Sequence, residues 1–224
     1  MALLKQIAAQ LPHRWQTELK RSHYRREIQK HRFVSREPDF GLLHDWVKPG
    51  DWVIDIGANI GYYTKRFSEL VGPRGRVIAF EPVPTTFSLL AANTLLFAHQ
   101  NVTLINAAVS DKLCAVGMSV AKASTGLDNY HEAHLSRIED SAVSVLAVTV
   151  DSLAIDHRIA VVKVDTEGHE ASVLAGMRKL IEASRPVLIV ETGAKEIIAD
   201  LTAMGYSHEI LARSPNSLFK PRDR

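Results

Sequence analysis

"DWVIDIGANIGYYTKRF", residues 51–67, decides how this chain is read. Trp52 to Ile56 is a short apolar, β-branched run with an acid at Asp55. It meets Gly57, Asn59 and Gly61, after which helical spacing takes over to Val71. Glycine allows positive φ and close backbone approach, and the N–H groups at a helix start suit an anion or a ligand carboxylate. In open α/β sheets, ligands sit outside the carboxyl ends of the strands, most often at this first strand-to-helix turn.

The unit repeats downstream. After a "GPRG" turn (72–75), "RVIAFE" (76–81) is a second strand. Its helix runs from Pro84 to about Ala98, with Leu89, Leu90, Leu96 and Phe97 available to a core, and "VTLINAAV" (102–109) reads as a third strand. Beyond a less regular middle, "IAVVKVD" (159–165) and "PVLIVE" (186–191) are strands separated by a helix over "EASVLAGMRKLIEAS" (170–184). Near-continuous Val, Ile and Ala predict strands covered on both faces, and the alternation predicts an α/β, doubly wound parallel sheet.

Glu81 ends the second strand, where an acid can accept hydrogen bonds from both ribose hydroxyls of a nucleoside. Turn and acid together point to an adenosine-containing ligand. The dinucleotide fingerprint would need glycine at positions 59 and 62, where the chain has Asn59 and Tyr62, so a nicotinamide cofactor and its oxidoreductase chemistry are disfavoured. The Gly-Lys-Ser/Thr phosphate loop is absent too.

The 224 residues, 46% hydrophobic and 23% charged, suit one domain, expected over 37–224, behind a basic helical extension over 1–36. Nine Lys and Arg against Glu18 and Glu27 give that extension +7; with +2 for the whole chain, the remainder carries −5. The extension can be helical in two pieces around Pro12, with Leu3, Leu4, Ile7, Leu11, Trp15 and Leu19 as an apolar stripe. It would cap the domain with a solvated basic face, or touch an anionic membrane peripherally. No zinc-finger or aromatic RNA-binding signature accompanies the charge, so nucleic acid is not expected as a partner. A single cysteine, Cys114, leaves no disulfide framework or CxxC pair. With no signal-peptide pattern and no long apolar run, a cytoplasmic setting is the expectation, extending at most to the inner membrane face.

Six blocks in order resemble the FkbM-type S-adenosylmethionine-dependent methyltransferases: "VIDIGANIGYYT" (53–64), "VIAFEPVP" (77–84), "LINAAVSD" (104–111), "VTVDSL" (148–153), "VKVDTEGHEASVLAGM" (162–177) and "RPVLIVE" (185–191). The resemblance implies a Rossmann-like, seven-stranded methyltransferase sheet with helices on both faces, closed by an antiparallel edge pair near "SHEILA" and "SLFK". It implies S-adenosyl-L-methionine as cofactor and S-adenosyl-L-homocysteine as product. Asp55, Gly57, Asn59 and Gly61 would surround the methionyl and ribose part, with Glu81 on the ribose hydroxyls. Asn106 and Ala107 would border the adenine, Ser110 and Asp111 being second choices, and Glu37 would close over the cofactor. The residues before Glu37 and those from about 122 to 142 match no block.

The expected reaction is in-line SN2 transfer to a hydroxyl of a small molecule or glycan, with N-methylation as the alternative. An alcohol needs a base. In "KVDTEGHE" (163–170), His169 is the first candidate and Asp165 the second, with Glu167 beside them. These acids can equally be structural: Glu170 can favour the helix start, while Asp165 and Glu167 order the loop through backbone N–H groups. Asp165, Glu167, Glu191 and His169 could also offer ligands to Mg²⁺, with no assignment made. His131 and His134 lack the HExxH context of a zinc site and read as acceptor-site or surface residues.

Overall fold

The computed structural model describes residues 11–122, 128–136, 138, 141 and 143–222. The stripe residues Leu3, Leu4 and Ile7 lie outside them. Helix α1 (His13–Gln29) leads through an extended segment to a 3₁₀ turn (Pro38–Leu42) and the short α2 (Leu43–Trp46). Then come β1 (Trp52–Ile56), α3 (Tyr62–Val71), β2 (Arg76–Phe80), α4 (Pro84–Thr94) and β3 (Val102–Ile105). Strands β4 (Ala108–Val109), β5 (Cys114–Lys122), β6 (Asp128–Ser136) and β7 (Val143–Val148) follow. The last part holds β8 (Ile159–Val164), α5 (Glu170–Ala175), α6 (Arg178–Ser184), β9 (Val187–Glu191), α7 (Lys195–Ala203), β10 (Tyr206–Ile210) and β11 (Asn216–Pro221).

Seven strands form the main sheet in the order β10-β11-β9-β8-β1-β2-β3. β3, β2, β1, β8 and β9 are mutually parallel; β11 runs antiparallel to β9 and β10. The antiparallel pair is as expected, with β11 inside and β10 at the edge. Side-chain alternation explains the double layer. Val53, Val77, Val161 and Ile189 face a core made with Phe67 and Val71 of α3. Ile54, Ile78, Val162 and Leu188 face the opposite core, made with Val173, Ile181, Ile197 and Leu201 of α5, α6 and α7.

Four expectations need correction. "VTLINAAV" is two strands: β3 stays in the main sheet, and β4 pairs with β7 in a second sheet of order β4-β7-β5-β6. The middle is therefore regular β-structure, and His131 and His134 belong to strand β6. The helix over 170–184 is broken at Gly176, where a Cβ would stand 1.9 Å from the Ser110 carbonyl oxygen, so that only glycine fits between the two backbones. Leu89, Leu90 and Phe97 are buried, but Leu96 is 36% exposed and joins no buried cluster among the described residues.

The extension packs differently from the stripe read in its sequence. Tyr24, Ile28 and Phe33 meet Ile60, Leu89 and Phe97, and Phe33 stacks on Tyr62 at 4.2 Å between ring centroids. Trp15 and Leu19 are 54% and 51% exposed. Among the described residues, no helix is long and apolar enough to cross a membrane.

Candidate active site

The carboxyl ends of β1, β2, β8 and β9 converge on two adjoining cavities of about 230 and 360 Å³. Both are bordered by Glu37, Gly57, Asn59 and Asp165. The turn after β1 contains three left-handed positions: Gly57 (φ 80°), Asn59 (φ 51°) and Gly61 (φ 98°). Their reasons are internal. A Cβ on Gly57 would lie 1.8 Å from the Asp165 carbonyl oxygen, and one on Gly61 would lie 2.7 Å from Leu90 Cδ1. The glycines thus let β1, β8 and α4 crowd together, where the sequence suggested room for a ligand.

Glu81 is 5% exposed. Its carboxylate accepts the backbone N–H groups of Asn59 at 2.9 Å and Val83 at 2.8 Å. Burial pushes it up to about 7 despite those two donors. Beside it, Val83, Ala107, Ala108, Val109 and Met118 make an apolar slot. Ala107 borders this slot, but Asn106 does not: its amide donates to the carbonyls of Glu81 and Pro82, fixing the strand end from outside.

Beneath the turn lies a buried charge network. Asp55 stands opposite Lys163 in the β1–β8 register; the two are 0% and 1% exposed. Lys163 Nζ donates to Asp165 at 2.7 Å and sits 4.4 Å from the centre of the Tyr63 ring. Burial pushes Lys163 down, but the carboxylates of Asp165 and Asp55 more than offset it, leaving it above its ordinary value. Burial raises Asp55, against Lys163 and the Thr64 hydroxyl that donates to its Oδ2 at 2.6 Å. Asp55 Oδ1 is buried without a partner.

Glu37, from the extended segment, reaches across this floor. It accepts from the Tyr63 hydroxyl and from the Asn216 amide, both at 2.9 Å. Asp39, fully buried, accepts from Tyr63 at 2.8 Å and from Ser214 at 2.6 Å. The Tyr63 hydroxyl has one proton and two carboxylates to serve. Burial, then Asp39 and Glu37, push its ionisation far above the ordinary tyrosine range.

The loop after β8 brings Asp165, Thr166, Glu167 and His169 to the cavity, with Glu191 entering from the end of β9. The loop is ordered by Glu170, whose Oε1 accepts from Thr166 N, Thr166 Oγ1 and Gly168 N. His169 Nε2 lies 2.9 Å from Ser110 Oγ, which donates to Asp111 at 3.1 Å. Ser110 and Asp111 therefore stand beside the histidine. Burial lowers the His169 pKa below 6.5, with Asp111 and Glu170 opposing. A hydrogen bond with Asp165, and then burial, raise Glu191 to about 8. Asp165, Glu167 and Glu191 can bring ligand atoms within 4.8 Å of one another.

Thus Asp55, Gly57, Asn59, Glu81, Ala107, Glu37, Asp165, Glu167 and His169 border the cavities, while Gly61 and Asn106 shape them from behind. Tyr63 carried no signal in the sequence as a neighbour of the site, while Ser110, a second choice for the adenine border, stands instead against His169. Lys163 carried a legible signal: a lysine among valines in a buried strand must have an acid partner.

Comparison with known proteins bears on this geometry. The methyltransferase FkbM domain model matches residues 55–207. The 31-O-demethyl-FK506 methyltransferase FkbM of Streptomyces tacrolimicus is 26% identical over 72% of this chain and 74% of its own. The hexuronic acid methyltransferase AglP of Haloferax volcanii is 26% identical over 73% and 65%, respectively. Three other curated methyltransferases match over 22%, 34% and 19% of their length. The structure of methyltransferase FkbM from Methylobacillus flagellatus KT aligns with a TM-score of 0.53 at 16% identity, over 82% of this chain and 50% of that longer one. With its domain model spanning 55–207, on a seven-stranded sheet of the methyltransferase kind, the chain belongs to the FkbM methyltransferase family.

Proposed function

We propose that this chain transfers a methyl group from S-adenosyl-L-methionine to a hydroxyl oxygen of a small molecule or glycan. The carrying observation is Glu81: a buried carboxylate, held by two backbone N–H groups, between the glycine turn and an apolar slot. Its remaining lone pairs suit two ribose hydroxyls, and the slot of Val83, Ala107 and Val109 suits a flat base. Asp55 Oδ1, buried and unpartnered, suits an ammonium. The residues therefore fit this cofactor, which when bound supplies an electrophilic sulfonium methyl for in-line displacement.

The chain's own work is alignment and proton removal. With its proton on Asp111, the Ser110 hydroxyl accepts from His169 Nε2, leaving Nδ1 to take the acceptor's proton. A histidine held below 6.5 is neutral and competent at pH 7. Asp165 is less suited, being engaged with Lys163 and Glu191. The names of the two relatives matched over most of this chain, a 31-O-demethyl-FK506 methyltransferase and a hexuronic acid methyltransferase, support an oxygen acceptor. No metal is needed for this reading; the three carboxylates of Asp165, Glu167 and Glu191 are the place where Mg²⁺ would bind if added.

Calorimetric titration with S-adenosylmethionine, S-adenosylhomocysteine and NAD tests the cofactor, repeated on Glu81→Ala. Binding of both sulfur nucleosides that collapses in the variant, with no NAD binding, is expected. Absence of nucleoside binding by the folded protein would sink the reading. Labelled methyl transfer to paired hydroxyl and amine acceptors then distinguishes oxygen from nitrogen.

A further inference from the structure

Helix α1 presents two faces that do opposite things. Tyr24 and Ile28 pack on the domain, Ile28 being 6% exposed. Trp15 and Leu19 precede them by nine residues each, about two and a half turns, so they point the other way. There they are 54% and 51% exposed. This Trp–Leu pair joins none of the buried clusters among the described residues, and a solvated helix face would ordinarily be polar.

The charge around this row is one-sided. Arg14, Arg25, Arg26 and Lys30 are exposed, and the Arg14 guanidinium lies 5.9 Å from the centre of the Trp15 ring. The two acids of the helix are taken up locally: Glu18 accepts from Arg21 at 2.8 Å, and Glu27 from Arg32 at 2.6 Å. The sequence up to Arg36 carries +7 and the remainder −5. An anionic surface therefore attracts this end and repels the rest, which orients the molecule.

We infer that the outward face of α1 docks on an anionic lipid bilayer, with Trp15 and Leu19 at the headgroup level and the flanking arginines on lipid phosphates. Tryptophan favours that interface, and each basic residue near it adds attraction. The docked helix is joined closely to the site. From its end the chain turns at His31 (φ 56°), and Val34, Ser35, Arg36 and Glu37 then wall the larger cavity.

The test is co-sedimentation of the full chain with vesicles of phosphatidylcholine, with and without phosphatidylglycerol. Binding about 100-fold stronger to the anionic vesicles, and weakened by salt, is expected from several basic contacts. A Trp15→Ser/Leu19→Ser variant should lose at least about tenfold, and so should Arg25→Ser/Arg26→Ser, with thermal melting unchanged because all four side chains are exposed. No binding to anionic vesicles by the folded protein overturns the inference. So does binding indifferent to Trp15 and Leu19, a change of oligomeric state in their variant without change in vesicle binding, or tighter binding to a DNA duplex than to the vesicles.

Discussion

The Glu81 carboxylate accepts the backbone N–H of Asn59 at 2.9 Å, so the end of β2 holds the glycine turn in place directly. A ligand bound by ribose hydroxyls donates to the same carboxylate and favours its ionised form. Glu81→Gln should therefore weaken S-adenosylhomocysteine binding by about 100-fold, the scale of two hydrogen bonds to a charged group. Since burial holds Glu81 near 7 in the ligand-free protein, wild-type affinity should rise through that pH. Calorimetry across pH should show the rise in the wild type and a flat profile in the variant.

The same carboxyl links stability to pH. Folded, it keeps its proton up to about 7, against 4.5 ordinarily. Between those values the native state binds more protons than the unfolded one, so ligand-free stability should fall as pH rises through the window. Denaturant melts should show this slope in the wild type and a shallower one in Glu81→Gln. An unchanged slope in the variant would assign the titration elsewhere, Glu191 being the next candidate with its proton held to about 8.

His169→Ala should lower kcat by about 10²–10⁴-fold with little change in nucleoside affinity. The wild-type rate should climb with pH to an inflection below 6.5 and stay level at pH 7, because burial keeps the imidazole neutral there. Ser110→Ala should cost about tenfold and move the inflection, since it removes the group that fixes the ring. A Ser110→Thr variant that restores both would separate orientation from packing. Equal activity in His169→Ala and wild type would transfer the base role to Asp165 or to none.

Gly57 and Gly168 both have positive φ, at 80° and 95°, but different surroundings. At Gly57 an added methyl meets the Asp165 carbonyl oxygen; at Gly168 it meets nothing within 4 Å. Gly168→Ala should cost about 1 kcal/mol of backbone strain. Gly57→Ala should cost more than about 4 kcal/mol, or prevent folding, because two strand ends must separate. Urea melts of the pair decide this.

The parallel strands were legible because they are buried on both faces, which leaves apolar runs such as "WVIDI" and "IAVVKV" little alternative. Two boundaries were not. Ala108 and Val109 continue an apolar run, yet they belong to another sheet. Nothing local in "EASVLAGMRKL" shows that Gly176 touches the Ser110 backbone. In the site, Glu81, Asp165 and His169 could be read from their places at strand ends. The Ser110–His169 contact and the Asp165–Glu191 hydrogen bond join segments remote in sequence, and only the folded sheet brings them together.

The contacts of Glu37 and Asp39 with Ser214 and Asn216 have a consequence for the order of assembly. They span 175 to 179 residues, and contacts of such separation form late because so much chain must be ordered first. The parallel core, β1 to β9, can collapse without them. During synthesis, then, the cavity floor exists before its wall, and a nascent chain acquires a closed binding site only once β11 has been made and laid between β9 and β10.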